Sequence, residues 1–454
     1  MRSTAIFNLL LSSSSLLEAA SIQRAADGAS VDLSKATGDA KFLASGWIYG
    51  FPDNGTSVDT RIPANYITDI KFRATRAGGA QTPTRGWIEG QKSYLGRFQS
   101  TLSNYRTARK YGGTFILLVH DLWGADGSSI PLYPGDKNDW AQTDAFLKQL
   151  VSDIKANDML DGLVLDIWNE PDIDLFWPRP WDQYLSYYVR AHNYFKSQLP
   201  TTLISGPSSA NAPGVNDAKW KAWLKSVSGN KTIPDIYSWH QIGDWQREPD
   251  RTIPDFKTIK AVHNMPDLPI DINEYAWPSE QNPANTVFYI AQLERYNLRG
   301  LRANWGSGSG LHDTLANLVG TTDKKTYYPN GEWQLYKYYA NMVGTRVATT
   351  ASADRKFDVF ATKSGNSVKI IAGTRSVKAA YNITITGLSS VGFPDSGSLS
   401  ARVYRFDWAG ANGKVGAPVD LGTKTFTYSG GKVTFNVDPA TNSTAYAYEF
   451  TGKS

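Results

Sequence analysis

Between about residues 41 and 345, short apolar runs alternate with longer stretches whose apolar residues recur every three to four positions. The short runs are Phe42–Tyr49, Ile67–Phe72, Thr114–Val119, Gly162–Trp168, Thr202–Ser205, Ile236–Trp239, Ile270–Asn273 and Gly300–Trp305. The periodic stretches are Tyr94–Tyr111, Trp140–Ala156, Trp181–Gln198, Lys219–Val227, Phe256–His263, Asn285–Tyr296 and Glu332–Met342. A short run that is apolar throughout reads as a strand covered on both faces, and the longer period reads as helix. Strand and helix in strict alternation predict a (β/α)8 TIM barrel over 41–345. An open doubly wound sheet is the runner-up, and no Gly-rich phosphate loop supports it.

After Val343 the helical period disappears. Val368–Gly373, Tyr381–Thr386, Val433–Val437 and Tyr446–Phe450 alternate apolar and polar residues, with Gly, Ser and Asn between them. Residues 346–454 are therefore expected to form an antiparallel β-sandwich. Ala29–Ser34 alternates in the same way and is expected to cross over as an added strand.

Two of the barrel strands end in glutamate. Leu163 to Ile167 is apolar but for Asp166, and it runs into Trp168-Asn169-Glu170-Pro171. Pro171 stops the ladder and leaves Glu170 at the carboxyl end of the strand. Leu268 to Ile272 likewise runs into Asn273-Glu274-Tyr275. The carboxyl ends of barrel strands form the face where active sites are built. Two carboxyl groups are the minimum equipment for hydrolysing a glycosidic bond: one protonates the leaving oxygen, and the other attacks the sugar or activates water. Glu170, on a bend where burial raises a carboxyl pKa, suits the acid; Glu274 suits the nucleophile. A nucleophile must stay ionised, and Arg73 or Arg76, at the expected end of the second strand, could supply the cation. Retention or inversion turns on carboxyl separation, about 5–5.5 Å against about 6.5–9.5 Å.

Asn169-Glu170-Pro171 on the fourth strand and Glu274 on the seventh resemble the clan of retaining (β/α)8 glycoside hydrolases, clan GH-A. The barrel followed by a sandwich, with Asp32-Leu33 and Ser45-Gly46-Trp47 at the entry, is most similar to glycoside hydrolase family 39 and its relatives. The resemblance spans roughly residues 29 to 454. It implies Glu170 as acid/base, Glu274 as nucleophile and Asn169 as a donor to the sugar 2-hydroxyl. It implies an arginine beside the nucleophile, Arg73 or preferably Arg76, and no metal or cofactor. His240 stands where clan members often carry a histidine, but Ile242 stands where a tyrosine would follow. That leaves open which group hydrogen-bonds the nucleophile. His120 resembles a sugar-hydroxyl ligand after strand three, and Trp305 could form the floor under the sugar. Trp123, Trp177 and Trp277 are weaker subsite candidates.

The expected function is a secreted retaining glycoside hydrolase of plant or microbial cell-wall glycans, working by double displacement on an oligo- or polysaccharide. The alternative is a non-catalytic carbohydrate-binding protein on a barrel scaffold. Met1-Arg2, an apolar run from Ala5 to Leu17 and small residues near Ala20 read as a signal peptide over 1–20. Sequons at Asn54, Asn230, Asn382 and Asn442 fit passage through a secretory pathway. The chain has no cysteine, which rules out disulfides and thiolate metal sites. A net charge of +5 over 454 residues, with no basic block, argues against nucleic acid. No later run is long and apolar enough to span a membrane.

Overall fold

The computed structural model describes residues 26–126, 130–243, 248–306 and 308–453; the expected leader lies outside them. Strand β1 (Ala26–Asp39) precedes a closed barrel of parallel strands: β2 (Gly46–Ile48), β3 (Ala74–Ala77), β4 (Thr114–Leu118), β5 (Leu163–Asp166), β6 (Leu203–Ser209), β7 (Ile236–Gln241), β8 (Ile270–Tyr275) and β9 (Arg299–Arg302). Around and between them run α1 (Asn65–Thr68), α2 (Gln91–Lys110), α3 (Val119–Trp123), α4 (Ala141–Ala156), α5 (Trp181–Gln198), α6 (Ala218–Gly229), α7 (Pro249–Val262), α8 (Pro283–Tyr296) and α9 (Gly331–Ala340). A hairpin, β10 (Val319–Thr321) and β11 (Tyr327–Pro329), lies between β9 and α9. None of the described helices is long and apolar enough to cross a membrane.

The second barrel strand is not where hydropathy put it. Ile67–Phe72 was the expected strand; instead Asn65–Thr68 is a helical turn and Lys71 takes a left-handed φ of 52° that breaks any extended run. Its apolar side chains are buried for another reason. The Phe72 ring packs 4.5 Å from Trp47 and edge-on to Phe51 at 5.5 Å, within the barrel core. The strand itself is Ala74-Thr75-Arg76-Ala77, wholly buried. Small residues and one arginine carry little hydrophobic signal, and only the ion pairs described below make the burial of Arg76 tolerable.

The C-terminal region adds β12 (Thr345–Thr350), β13 (Phe357–Ser364), β14 (Ser367–Thr374), β15 (Tyr381–Thr386), β16 (Gly397–Phe406), β17 (Val419–Tyr428), β18 (Val433–Val437) and β19 (Ala445–Thr451). With β1 they form one continuous sheet, in the order β17-β16-β19-β14-β13-β12-β1-β15-β18. The sheet rolls over on itself: Phe426 of β17 and Phe435 of β18, at its two ends, meet with ring centroids 4.2 Å apart. β1 joins the two halves, antiparallel to β12 and parallel to β15. The added strand expected at Ala29–Ser34 is thus the middle of a longer one.

The two regions share a buried polar seam along α8. Arg346 Nη1 meets Glu294 Oε2 at 2.9 Å, and Arg295 Nη1 meets Asp358 Oδ2 at 3.0 Å. Arg375 reaches from the sheet to Glu280 at 2.8 Å and also pairs with Glu248. Removing residues 350–454 would strip Arg295, Glu248 and Glu280 of their counter-charges. Each broken buried pair costs on the order of 3–5 kcal/mol. A chain of residues 21–349 is therefore expected to be insoluble or to melt well below the full chain. A soluble truncation with an unchanged melting temperature would show the sheet to be dispensable.

The sequons fall in different settings. Asn54, Asn230 and Asn442 are exposed, whereas Asn382 is half-buried in β15.

Candidate active site

The carboxyl ends of the barrel strands enclose a cleft of about 450 Å³, and both glutamates line it. Glu170 sits just past β5 with φ at 45°, a left-handed conformation that non-glycine residues adopt at a cost. Its N–H donates to the Ser208 carbonyl at 2.9 Å, which ties the bend to β6. Asp172 pins the following loop by accepting from the Ala210 and Asn211 N–H groups at 2.7 and 2.9 Å. Glu274 is on β8, across the cleft.

Arg76 organises the floor. Its Nη1 donates to Glu274 Oε1 at 2.7 Å, its Nε to Asp166 Oδ2 at 2.8 Å and its Nη2 to Asn169 Oδ1 at 2.9 Å. The guanidinium is wholly buried, so these three acceptors are what make its charge affordable there. Of the two arginines weighed, Arg76 is the one beside Glu274; the Arg73 side chain is exposed and lies elsewhere, in a small pocket with Arg299. Asp166 is steadied in turn by Ser208 Oγ at 2.8 Å and Asn273 Nδ2 at 3.1 Å. Because Arg76 takes the Asn169 oxygen, the amide nitrogen is turned away from the guanidinium and left free to donate.

His240 bridges the two carboxylates. Its Nδ1 lies 2.7 Å from Glu170 Oε1, and its Nε2 lies 3.8 Å from Glu274 Oε1. Burial disfavours the imidazolium, but the charge of Glu274 and the bond and charge of Glu170 outweigh it and raise the His240 pKa. Burial would also raise Glu170, yet the His240 hydrogen bond, followed by the charges of His240, Arg76 and His120, holds its carboxyl below the ordinary value. Burial lifts Glu274 above its ordinary value, opposed by His240 and Arg76 and aided by Glu170. The charges of both carboxylates thus favour the imidazolium form of His240. Ile242 brings only an alkyl side chain to the cleft, and among the described residues Arg76 is the group that hydrogen-bonds Glu274.

His120 also lines the cleft, with Nε2 2.9 Å from Asp121 Oδ1 and Nδ1 buried without a partner. Trp305 lies over the cleft, its Nε1 donating to the Ala276 carbonyl at 2.9 Å. Trp277 stacks on it, with centroids 4.6 Å apart. Trp123 and Trp177, weighed as subsites, are corrected to core residues. Both are buried, their Nε1 atoms donate to the Leu132 and Pro180 carbonyls, and Trp177 packs on Trp168.

Several site residues escaped the sequence reading. Asp166 interrupts an otherwise apolar strand run and Asn273 follows Ile272 near the end of another, and a polar residue there was the available signal. Ser208, Tyr49 and Asp121 carried none. Tyr49 donates to Asp121 while accepting from the Gly78 and Ala80 N–H groups at 3.2 and 3.3 Å. Among the described residues no group of three His, Asp or Glu side chains could hold a metal ion.

No family model matches the chain. A curated relative, 3-O-alpha-D-galactosyl-alpha-L-arabinofuranosidase of Bifidobacterium longum subsp. longum, is 23% identical over 445 residues, covering 86% of this chain and 37% of its own length. The chain thus spans well under half of that relative. A solved structure from Neocallimastix frontalis superimposes with a TM-score of 0.73 at 19% identity, covering 94% of this chain and 99% of the other. The structure of a glucosidase from Croceicoccus marinus superimposes with a TM-score of 0.60 at 16% identity, covering 95% and 100%. The fold is the one the sequence resemblance to the (β/α)8 hydrolase clan implied; none of these names points to family 39.

Proposed function

We propose that this chain is a retaining O-glycoside hydrolase acting on glycans of plant or microbial cell walls. The observation that carries the reading is the pairing of Glu170 and Glu274 across one cleft, joined by His240 and with Glu274 fixed by Arg76. Glu274 attacks the anomeric carbon while Glu170 gives its proton to the departing oxygen. Glu170 then takes a proton from water, which releases the sugar from Glu274 with its configuration restored. The Asn169 amide faces the sugar 2-hydroxyl, and Trp305 offers its ring to an apolar sugar face. The arabinofuranosidase name of the relative makes aryl α-L-arabinofuranosides the first substrates to try, followed by β-D-xylosides and β-D-glucosides. Secretion through a leader at residues 1–20 belongs to the same reading, and N-terminal sequencing of the secreted protein tests it.

The test is turnover of that aryl-glycoside panel, with the first-formed anomer identified by proton NMR. Retention is expected. Inversion would overturn the double-displacement step, and binding of glycans without any turnover would favour a carbohydrate-binding protein.

The pH profile gives a second check. Glu170 must carry a proton to act as acid, and the shared proton stays in the site until the raised His240 pKa is passed. The alkaline limb of kcat/KM is therefore expected above the ordinary histidine value of about 6.5. In His240→Asn only the carboxyls can hold that proton, so the limb should move toward acid pH. An unmoved limb would show that His240 does not share the proton.

A further inference from the structure

Arg76 is one buried cation held between two carboxylates that stand differently toward the cleft. Glu274 lines it, whereas Asp166 is wholly buried and does not. Burial disfavours the guanidinium, but the charge of Asp166, and next that of Glu274, outweigh it and raise the Arg76 pKa. The group that fixes the nucleophile therefore has its stronger partner out of reach of any substrate.

The other hydrogen-bond partners of the Asp166 carboxylate are neutral. Oδ1 accepts from Ser208 Oγ, and Oδ2 accepts from Asn273 Nδ2 as well as from Arg76 Nε. Asn273 Nδ2 also reaches Ser208 Oγ at 2.9 Å, and Ser238 Oγ lies 2.9 Å from the same hydroxyl. Residues of β6 and β8 thus hold a carboxylate on β5 against a cation on β3.

A cation shared in this way is a weaker partner for each carboxylate. Beside the charge of Asp166, Glu274 feels only part of the guanidinium's charge, so it keeps more of its basicity and attacks more readily. The same sharing slows the reverse event. Glu274 leaves the sugar as a carboxylate, and a more basic group is a poorer leaving group.

Resting on the hydrolase reading, we propose that Asp166 is a positioning residue that acts through Arg76. It sets how strongly the guanidinium holds Glu274, and so divides the rate between formation and breakdown of the glycosyl-enzyme.

Asp166→Asn removes the charge and keeps the bonds. An amide oxygen in place of Oδ2 still accepts from Arg76 and Asn273, and an amide nitrogen in place of Oδ1 can donate to Ser208, whose hydroxyl turns to Ser238. The measurement is made on the full chain in the Glu170→Gln background. The probe is the dinitrophenyl glycoside of the sugar that the aryl panel returns, with azide as the second nucleophile. Dinitrophenol needs no proton to leave and azide needs no base. The burst rate therefore reads attack by Glu274, and the azide-driven rate reads its departure. A neighbouring charge changes a carboxyl's proton affinity roughly 10-fold to 100-fold, and a nucleophile's rate follows about the square root of its basicity. The burst should slow by roughly threefold to tenfold and the azide-driven step should quicken by a similar factor.

Loosened geometry alone would slow both steps. Ser208→Ala takes a bond from the same network but no charge, and should leave both rates nearly as they are. The burst amplitude counts competent sites, so partial misfolding does not pass for a slower rate. An unslowed burst, an azide-driven step that does not quicken, or the same opposed change in Ser208→Ala would each overturn the assignment. So would failure of Asp166→Asn to fold, because the charge would then serve the fold and not the chemistry. Absence of a burst in Glu170→Gln alone would instead overturn the double-displacement reading, and this assignment with it.

Discussion

Glu274→Ala is expected to abolish turnover, with kcat falling on the order of 10⁴-fold or more, equivalent to about 5.5 kcal/mol of lost transition-state stabilisation. Without that carboxylate no glycosyl-enzyme ester can form. The loss should be chemical, because Arg76 keeps its bonds to Asp166 and Asn169 when Glu274 is cut back. The fold should therefore persist, with a melting temperature lowered by the loss of one buried pair, and circular dichroism would check it. Alanine also leaves room for a small anion on the vacated side of the sugar. Added azide should restore part of the rate and give the glycosyl azide of inverted configuration, visible by NMR. A variant within tenfold of the unaltered enzyme would rule Glu274 out as nucleophile.

Glu170→Gln should separate substrates by how much they need a proton. Glycosides with unactivated alcohol leaving groups are expected to lose about 10²–10⁴-fold, the usual scale of general acid catalysis. A dinitrophenyl glycoside needs no proton to depart, so its first step should be nearly spared. The second step still lacks a base for water, so the glycosyl-enzyme should accumulate and give a burst followed by slow turnover. Glutamine can still accept from His240 Nδ1, so the position of the imidazole should survive. Equal losses on activated and unactivated substrates, with no burst, would remove Glu170 from the acid/base role.

The two variants bear on positions that differ in how plainly the sequence announces them. Glu170 and Glu274 are legible because each interrupts an apolar strand with a charge, and Pro171 marks where one strand must stop. Most of the long helices are legible to within a few residues because each shows its apolar stripe to the barrel, but the expected Phe256–His263 begins seven residues inside α7, and the short α1 and α3 were not expected. Trp181–Gln198 is α5 residue for residue, and Trp140–Ala156 differs from α4 by one residue. β3 was illegible. Its burial depends on a charge compensated from elsewhere, and its four residues hold no apolar run. The neighbouring Ile67–Phe72 has such a run but spends it on packing that includes Phe72 against Trp47.

By itself, then, the sequence determined the alternation that closes a barrel, the change of period that starts a second sheet, and the two strand ends that carry carboxylates. Each is a pattern within one element, set by which side chains must leave water. The tertiary structure alone decided what happens between elements. It brought Arg76 onto Asp166 and Glu274, residues 90 and 198 positions away. It placed one histidine between two carboxylates, whose charges favour its imidazolium form. Local pattern records whether a residue is buried, but the stability of a buried charge depends on the partner that folding delivers, and that partner leaves no trace in the neighbouring sequence.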